Sequence, residues 1–391
     1  MTDVEIHGTV HRGFEAVAEA MAANFVDPGE VGAAAAAFVE GEAVVDIWAG
    51  RARPEVPWAR DTIVPVFSAT KGAAALVIHV LADRGALDIQ APIARYWPEF
   101  AQHGKESVTV EHVLTHTSGV LRVDDYLPRI GDGEFLNDLD RIADTISACR
   151  PDFEPGSRVA YQAVTYGYIL GEVVRRVDGR TLGKVWREEI AEPFGIDFWI
   201  GLPPEEHNRV AELYDAPPPQ EPAVQFYLAM FTPDTLQGQA MMVDQGGFLK
   251  MADRANDPAA LTAEIPAAGG VGSAVAMATW YAILANGGAL HGRRLVTGES
   301  IATHSKERST GNDLVSMMDS RFALGYALPT PLSPYVHIEH AFGHSGFGGS
   351  VGFADPSRRL SFGYAMNQLR LPAPDEVTRA ERLITALYES L

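Results

Sequence analysis

The sequence predicts an α+β fold: an antiparallel sheet flanked by helices, with an all-helical lobe set against it. Two observations carry this. Strand patterns lie near both ends of the 391-residue chain, at 31–48 and again at 337–366. Between 86 and 266 the apolar spacing is mostly helical. A sheet drawn from both chain ends, with helices inserted between, is a layered composite of sheet and lobe. The expected division is a discontinuous sheet domain, 1–85 with 267–391, and a helical domain, 86–266, with the functional site in the cleft between them.

The elements follow in order. Residues 14–25 read as an amphipathic helix. Residues 31–39 and 43–48 are apolar runs around Glu40-Gly41-Glu42, a hairpin signal, and 62–67 is a further strand. Ser68 stands where that run ends and a small-residue helical pattern begins, so it is expected as the N-cap of a helix that stops near Gly85. Helices are expected at 135–149, 165–177 and 182–190. The proline-rich stretch 203–222 should be irregular. Ser273 should cap a helix reaching Asn286, closed by Gly287-Gly288. Residues 322–328, 337–342, 350–354 and 360–366 read as strands, and 375–391 as a closing helix.

Composition excludes several function classes. Acidic residues number 51 against 31 basic ones, giving a net charge of −20. With no basic run, neither nucleic acid nor an anionic membrane is an expected partner. The most apolar segment, 72–82, is too short to span a bilayer. The lone Cys149 cannot form an internal disulfide, and the first residues show no secretory pattern, so a cytoplasmic location is expected.

The chemistry is concentrated in a few places. Ser68-Ala69-Thr70-Lys71 puts a hydroxyl and an amine one helical turn apart. A hydroxyl oxygen at a helix N-terminus sits in positive potential. Burial against Ala73, Leu76 and Val77 should drive the lysine toward its neutral form, a usable base. Tyr161 follows a Gly156 turn and precedes a helix, and a phenol beside an ammonium can have its pKa lowered and act as a proton shuttle. Glycine-rich 343–349 implies close backbone approach, and an N–H there can pair with that of Ser68 to hold an oxyanion.

These motifs, with Leu114-Thr115-His116-Thr117-Ser118-Gly119, Gly269-Gly270-Val271-Gly272-Ser273 and Gly343-His344-Ser345-Gly346, stand in the order seen in the serine β-lactamase-like superfamily. The segment 161–172 resembles the family VIII carboxylesterases within it. The resemblance spans roughly 10–390. It implies the β-lactamase/transpeptidase-like fold and a serine hydrolase acting on small neutral carboxylic esters through an acyl-enzyme. In that scheme Ser68 attacks, Lys71 and Tyr161 move its proton, the N–H groups of Ser68 and Phe347 hold the oxyanion, and His344, Ser345, Gly346 and Ala163 line the substrate side. No metal and no organic cofactor is implied, and the partner is a small-molecule ester.

Two departures bear on substrate. Ala163 stands where the lactamases of the superfamily carry Asn, and His344-Ser345-Gly346 stands where they carry Lys-Thr-Gly. Losing an amide and a fixed cation argues for a neutral ester. A β-lactam or amide hydrolase, an acyltransferase, and a non-catalytic binding module remain the alternatives.

Competing motifs are weaker. Gly348-Gly349-Ser350-Val351-Gly352 matches a nucleophile elbow, but no histidine follows Ser350. His112 and His116 lack the glutamate of a zinc protease pair, and His337, His340 and His344 on one strand would not all face one way. The aromatic stretch 226–231 with Met241-Met242 is either lobe core or a wall for the acyl or alcohol group.

Overall fold

The computed structural model describes residues 4–26, 29–122, 136–219, 223–241, 250–373 and 376–391. In chain order the strands are β1 His7–Val10, β2 Gly32–Val39, β3 Glu42–Arg53, β4 Val56–Pro57, β5 Val64–Pro65, β6 Phe198–Ile200 and β7 Gly270–Gly272. Then come β8 Ala289–Leu290, β9 Arg293–Arg294, β10 Ser309–Asn312, β11 Asp319–Phe322, β12 Phe342–Ser345, β13 Val351–Asp355 and β14 Leu360–Met366. The helices used below are α1 Glu15–Ala23, α2 Thr70–Asp83, α3 Val110–Leu114, α4 Leu139–Ala148, α5 Thr165–Asp178, α6 Leu182–Val185, α7 Ala223–Phe231, α8 Ala274–Ala285, α9 Gly298–His304 and α10 Arg379–Glu389.

The main sheet runs β1-β3-β2-β14-β13-β12, with β4 added to β3, and all its pairings are antiparallel. At its centre β2 pairs with β14, Val39 opposite Leu360 and Ala33 opposite Met366. The alanine-rich β2 is covered on both faces, so its sequence is continuously apolar rather than alternating. Helix α8 lies so close to β14 that a Cβ at Gly363 would collide with the Ala274 carbonyl. The next residue, Tyr364, points to the opposite face. Its hydroxyl bonds Glu30, which in turn accepts from Arg379 of α10. Thus α8 covers one face of the sheet, and α10, packed with α1, covers the other.

A second, three-stranded sheet orders β5-β7-β6 beneath the start of α2. Its strand β6 lies within the otherwise helical stretch 86–266. No helix among the described residues is long and apolar enough to cross a membrane.

Several local expectations change. Residues 322–328 are not one continuous strand: Phe322 ends β11, and Ala327 makes only isolated bridges to Phe322 and Gly343. The chain reverses there, with the Ala323 N–H donating to the Tyr326 carbonyl and Gly325 at φ +86. Residues 337–341 form turns, and the strand begins only at Phe342. His337 and His340 are therefore exposed in turns, and only His344 sits on a strand. The expected strand at 62–67 shortens to β5. The stretch 182–190 starts as α6, then widens into a π-type turn over Trp186–Ala191. Pro204–Arg209 winds into a 3-10 turn inside the segment expected to be irregular, whose last residues, 220–222, lie outside the described ones. Residues 135, 242 and 375 also lie outside them; the first and last helices expected around these positions are seen as α4 and α10.

Candidate active site

Ser68 does not cap α2. The N-cap is Ala69, in helical conformation, with no side-chain cap bond. The sharp change of direction is taken by Phe67 at φ +47, a conformation that costs a bulky residue about 1–3 kcal/mol. Thr70 secures the corner: its hydroxyl donates to the Phe67 carbonyl at 2.5 Å and accepts from the Gly270 N–H at 2.8 Å. A capping serine would spend its hydroxyl on the backbone. Ser68 keeps its hydroxyl for Lys71, whose Nζ lies 3.2 Å from Ser68 Oγ.

Lys71 is fully buried. Its Nζ donates to the Ala163 carbonyl at 2.8 Å and the Ala267 carbonyl at 3.0 Å. Burial holds its pKa well below the ordinary lysine value. A neutral amine has two N–H groups and one lone pair. With both N–H groups on carbonyls, the lone pair is left for the Ser68 hydroxyl.

Tyr161 lies beside this pair, its ring centroid 4.7 Å from Lys71 Nζ. Here the expectation is reversed: its pKa is raised, not lowered. Burial is the main cause, a side-chain hydrogen bond with Ser68 works the other way, and the Asp313 charge adds to the rise. The lysine that was to supply a stabilising cation is itself biased to the neutral form.

The oxyanion loop closes the other side. Gly346 donates its N–H to the Ser350 carbonyl at 2.7 Å. A Cβ there would strike the Val66 carbonyl, so only glycine allows the loop to approach the strand leading to Ser68. The ring of Phe347 stands edge-on to Phe67 at 5.6 Å and to Phe231 of α7 at 5.8 Å. Ser345 ends β12 opposite Val351. Its carbonyl lies 2.8 Å from Nδ1 of His344. That contact fixes the proton on Nδ1 and leaves Nε2 as an acceptor. Burial, then Lys71, pushes the His344 pKa down to about 3. Ala163 contributes its carbonyl to Lys71 and only a methyl group to the site.

All eight residues singled out in the sequence therefore converge on the ends of α2, α5 and β12. The competing serine does not behave as a nucleophile. Ser350 is buried, its Oγ donates to the Val66 carbonyl at 2.9 Å, and a strand rather than a helix follows it. His112 Nδ1 accepts from the Thr109 N–H, closing a capping box on α3. The aromatic stretch 226–231 forms α7, whose Phe231 is the contact to Phe347.

Two contributors had no reading as site residues. His116 at φ +56 accepts the Gln162 N–H on Nδ1 at 3.0 Å and lays its ring 4.7 Å from that of Tyr161. Its motif was visible in the sequence, but its contact with Tyr161 was not. Asp313 accepts the Tyr161 N–H at 3.0 Å, and no sequence signal marks it.

A half-buried serine just ahead of a helix, with a fully buried lysine in that helix's first turn within hydrogen-bond distance, set against the edge strand of an antiparallel sheet, marks a serine hydrolase of the β-lactamase fold. The comparisons agree. The Beta-lactamase family model matches residues 15–387, and the chain belongs to that family. It is similar to Esterase/beta-lactamase LipL of Mycobacterium tuberculosis, with 34% identity over 94% of this chain and 84% of that protein. Among solved structures, a family VIII carboxylesterase shares 40% identity at TM-score 0.86, covering 99% of this chain and 100% of that one. A penicillin-binding protein homologue from Caulobacter crescentus shares 39% identity at TM-score 0.84, over 99% and 100% of the two chains.

Proposed function

We propose that the protein is a carboxylesterase that hydrolyses small neutral esters through an acyl-enzyme on Ser68. The observation that carries this is the environment of Lys71: buried, with both donors taken by carbonyls and Ser68 Oγ at 3.2 Å. Lys71 Nζ takes the Ser68 proton as Oγ bonds to the ester carbon, and the carbonyl oxygen becomes an anion held by the N–H groups of Ser68 and Phe347. Collapse breaks the bond to the alcohol oxygen, which takes its proton from the Tyr161 hydroxyl. The Lys71 ammonium then reprotonates the phenolate. Water, activated by the same pair, releases the acid. The reading places the site between the sheet domain, 1–85 with 267–391, and the helical domain, 86–266.

Esters are favoured over β-lactams on two grounds. Ala163 offers no amide, and the neutral His344 offers no cation for a carboxylate. The β-lactam reading keeps standing through the double name of the LipL relative. A panel of nitrophenyl esters of increasing acyl length, run beside a chromogenic cephalosporin, separates the two. Esters should be turned over with the higher kcat/KM, and Ser68→Ala should abolish turnover without unfolding the protein. Equal kcat/KM for the cephalosporin and a short-chain ester would refute the ester assignment, and an active Ser68→Ala would refute the nucleophile.

A further inference from the structure

Asp313 begins the turn between β10 and β11 and is fully buried. Its Oδ1 accepts three backbone N–H groups: Val315 at 2.8 Å, Ser316 at 3.0 Å and Tyr161 at 3.0 Å. The first two close the turn upon itself. The third reaches across to the segment that carries the phenol. The turn is held to that segment a second time, because the Leu314 N–H donates to the Val159 carbonyl at 3.1 Å. On the far side, His116 Nδ1 receives the N–H of Gln162. Tyr161 is thus gripped at its own N–H and at the next one, by an acid and an imidazole from two other parts of the chain.

We propose that Asp313 is the positioning residue for Tyr161: it fixes the main chain from which the phenol reaches Ser68. A turn needs no buried acid merely to close, since Asn or Ser does so without burying a charge. What the carboxylate adds is a strong acceptor for the Tyr161 N–H and a negative charge beside the phenol. The charge acts in the same direction as burial on Tyr161, opposing loss of its proton. The other titratable groups around the phenol are Lys71, His116, Tyr166 and His344, and burial favours the neutral form of each. The pKa of Asp313 itself is raised by burial, and its N–H partners, Tyr161 among them, offset only part of that rise.

This proposal rests on the reading of Tyr161 as the acid that protonates the leaving alkoxide, and the test separates the two. Two esters of one acyl group are compared, an ethyl ester and a nitrophenyl ester, by kcat/KM, which reports acylation. An ethoxide needs a proton as it leaves; a nitrophenolate does not. Asp313→Ala should lower kcat/KM for the ethyl ester about 100-fold and for the nitrophenyl ester less than about tenfold. Asp313→Asn keeps an oxygen for the three N–H groups but not the charge, so it should recover the part of that loss that comes from position and restore the ethyl ester more than the nitrophenyl ester. Should Asp313→Ala fail to fold, as judged by circular dichroism, Asp313→Ser, with its shorter reach, provides the comparison. Tyr161→Phe is the control and should show the same selectivity for the ethyl ester. Equal losses on both esters, or none, in the Asp313 variants with a selective Tyr161→Phe would overturn the role of Asp313 alone. A Tyr161→Phe enzyme without selectivity would overturn the role of Tyr161, and that of Asp313 with it.

Discussion

Gly72 follows Lys71 directly, and a Cβ there would collide with the hydroxyl of Tyr281 on α8. Helix α2 is therefore seated against α8 with no room for a methyl group. Gly72→Ala should shift α2, cost about 1–3 kcal/mol in a urea titration and reduce ester turnover. Tyr281→Phe removes the obstructing oxygen, so adding it to Gly72→Ala should restore part of both. A Gly72→Ala protein of full activity and stability would show that the helix is not seated this tightly. In the proposed mechanism activity needs the neutral form of Lys71, so kcat/KM should fall as pH drops through a pKa well below that of ordinary lysine. His344, already neutral down to about pH 3, should leave that acidic limb where it is. Measuring kcat/KM for a nitrophenyl ester across pH in the wild type and in His344→Gln checks this; a large displacement in the variant would assign the limb to histidine. The pairing of Ala163→Asn with His344→Lys should raise cephalosporin turnover relative to ester turnover, and an unchanged ratio would place the discrimination elsewhere, with Phe231 and α7 the next place to look.

The same helix carries a second titrating feature at its far end. His79 of α2 stacks on His304 of α9 with ring centroids 3.9 Å apart, and both are buried. Burial drives both pKa values down, to about 4 for His304, and the His304 ring further opposes protonation of His79. Asp83, which accepts the hydroxyl of Thr297, the N-cap of α9, partly offsets this for His304. The folded pKa values lie below the unfolded value near 6.5. Above that pH the pair is neutral in both states and stability is unaffected. As pH falls below it, the unfolded chain takes up protons first, and stability declines until the folded pKa values are passed. Urea midpoints measured from pH 7.5 to 4.5 should fall, and His304→Phe should flatten the slope by on the order of 1–3 kcal/mol. An unchanged slope would mean that other groups dominate. Elements were readable from sequence where one local rule governed them. Ser273 caps α8 through the Ala276 N–H, and β14 occupies 360–366 as expected. They were unreadable where tertiary packing overrode the local pattern. Residues 322–328 look like a strand, yet the chain turns at Gly325, where the left-handed backbone packs on α2 with no room for a side chain and its N–H bonds the Leu114 carbonyl.

At the scale of the molecule, the fold class was legible because apolar strands at both ends and helices between leave few layered arrangements. The Ser68–Lys71 pair was legible because helical spacing alone brings the two side chains together. Asp313 was not, since its link to Tyr161 joins residues 152 apart in sequence and leaves no local pattern. The same separation applies to the sheet. Its central pairing joins β2, near one end, to β14, near the other. During synthesis β2 and β3 can form their hairpin early, but β2 then offers an unpaired, alanine-rich edge until β14 has been made. Almost the entire chain must be held without its central partner, and neither Ser68 nor its loop from 343–349 has a frame before then. Nascent chains arrested before residue 360 should be cleaved readily by protease, whereas the released full-length protein should resist. Early resistance in the arrested chains would show that the first half forms a stable unit by itself. If protection arrives only once β14 is in place, the segment that carries Ser68, made early, gains its frame only after β14 has followed it out of the ribosome.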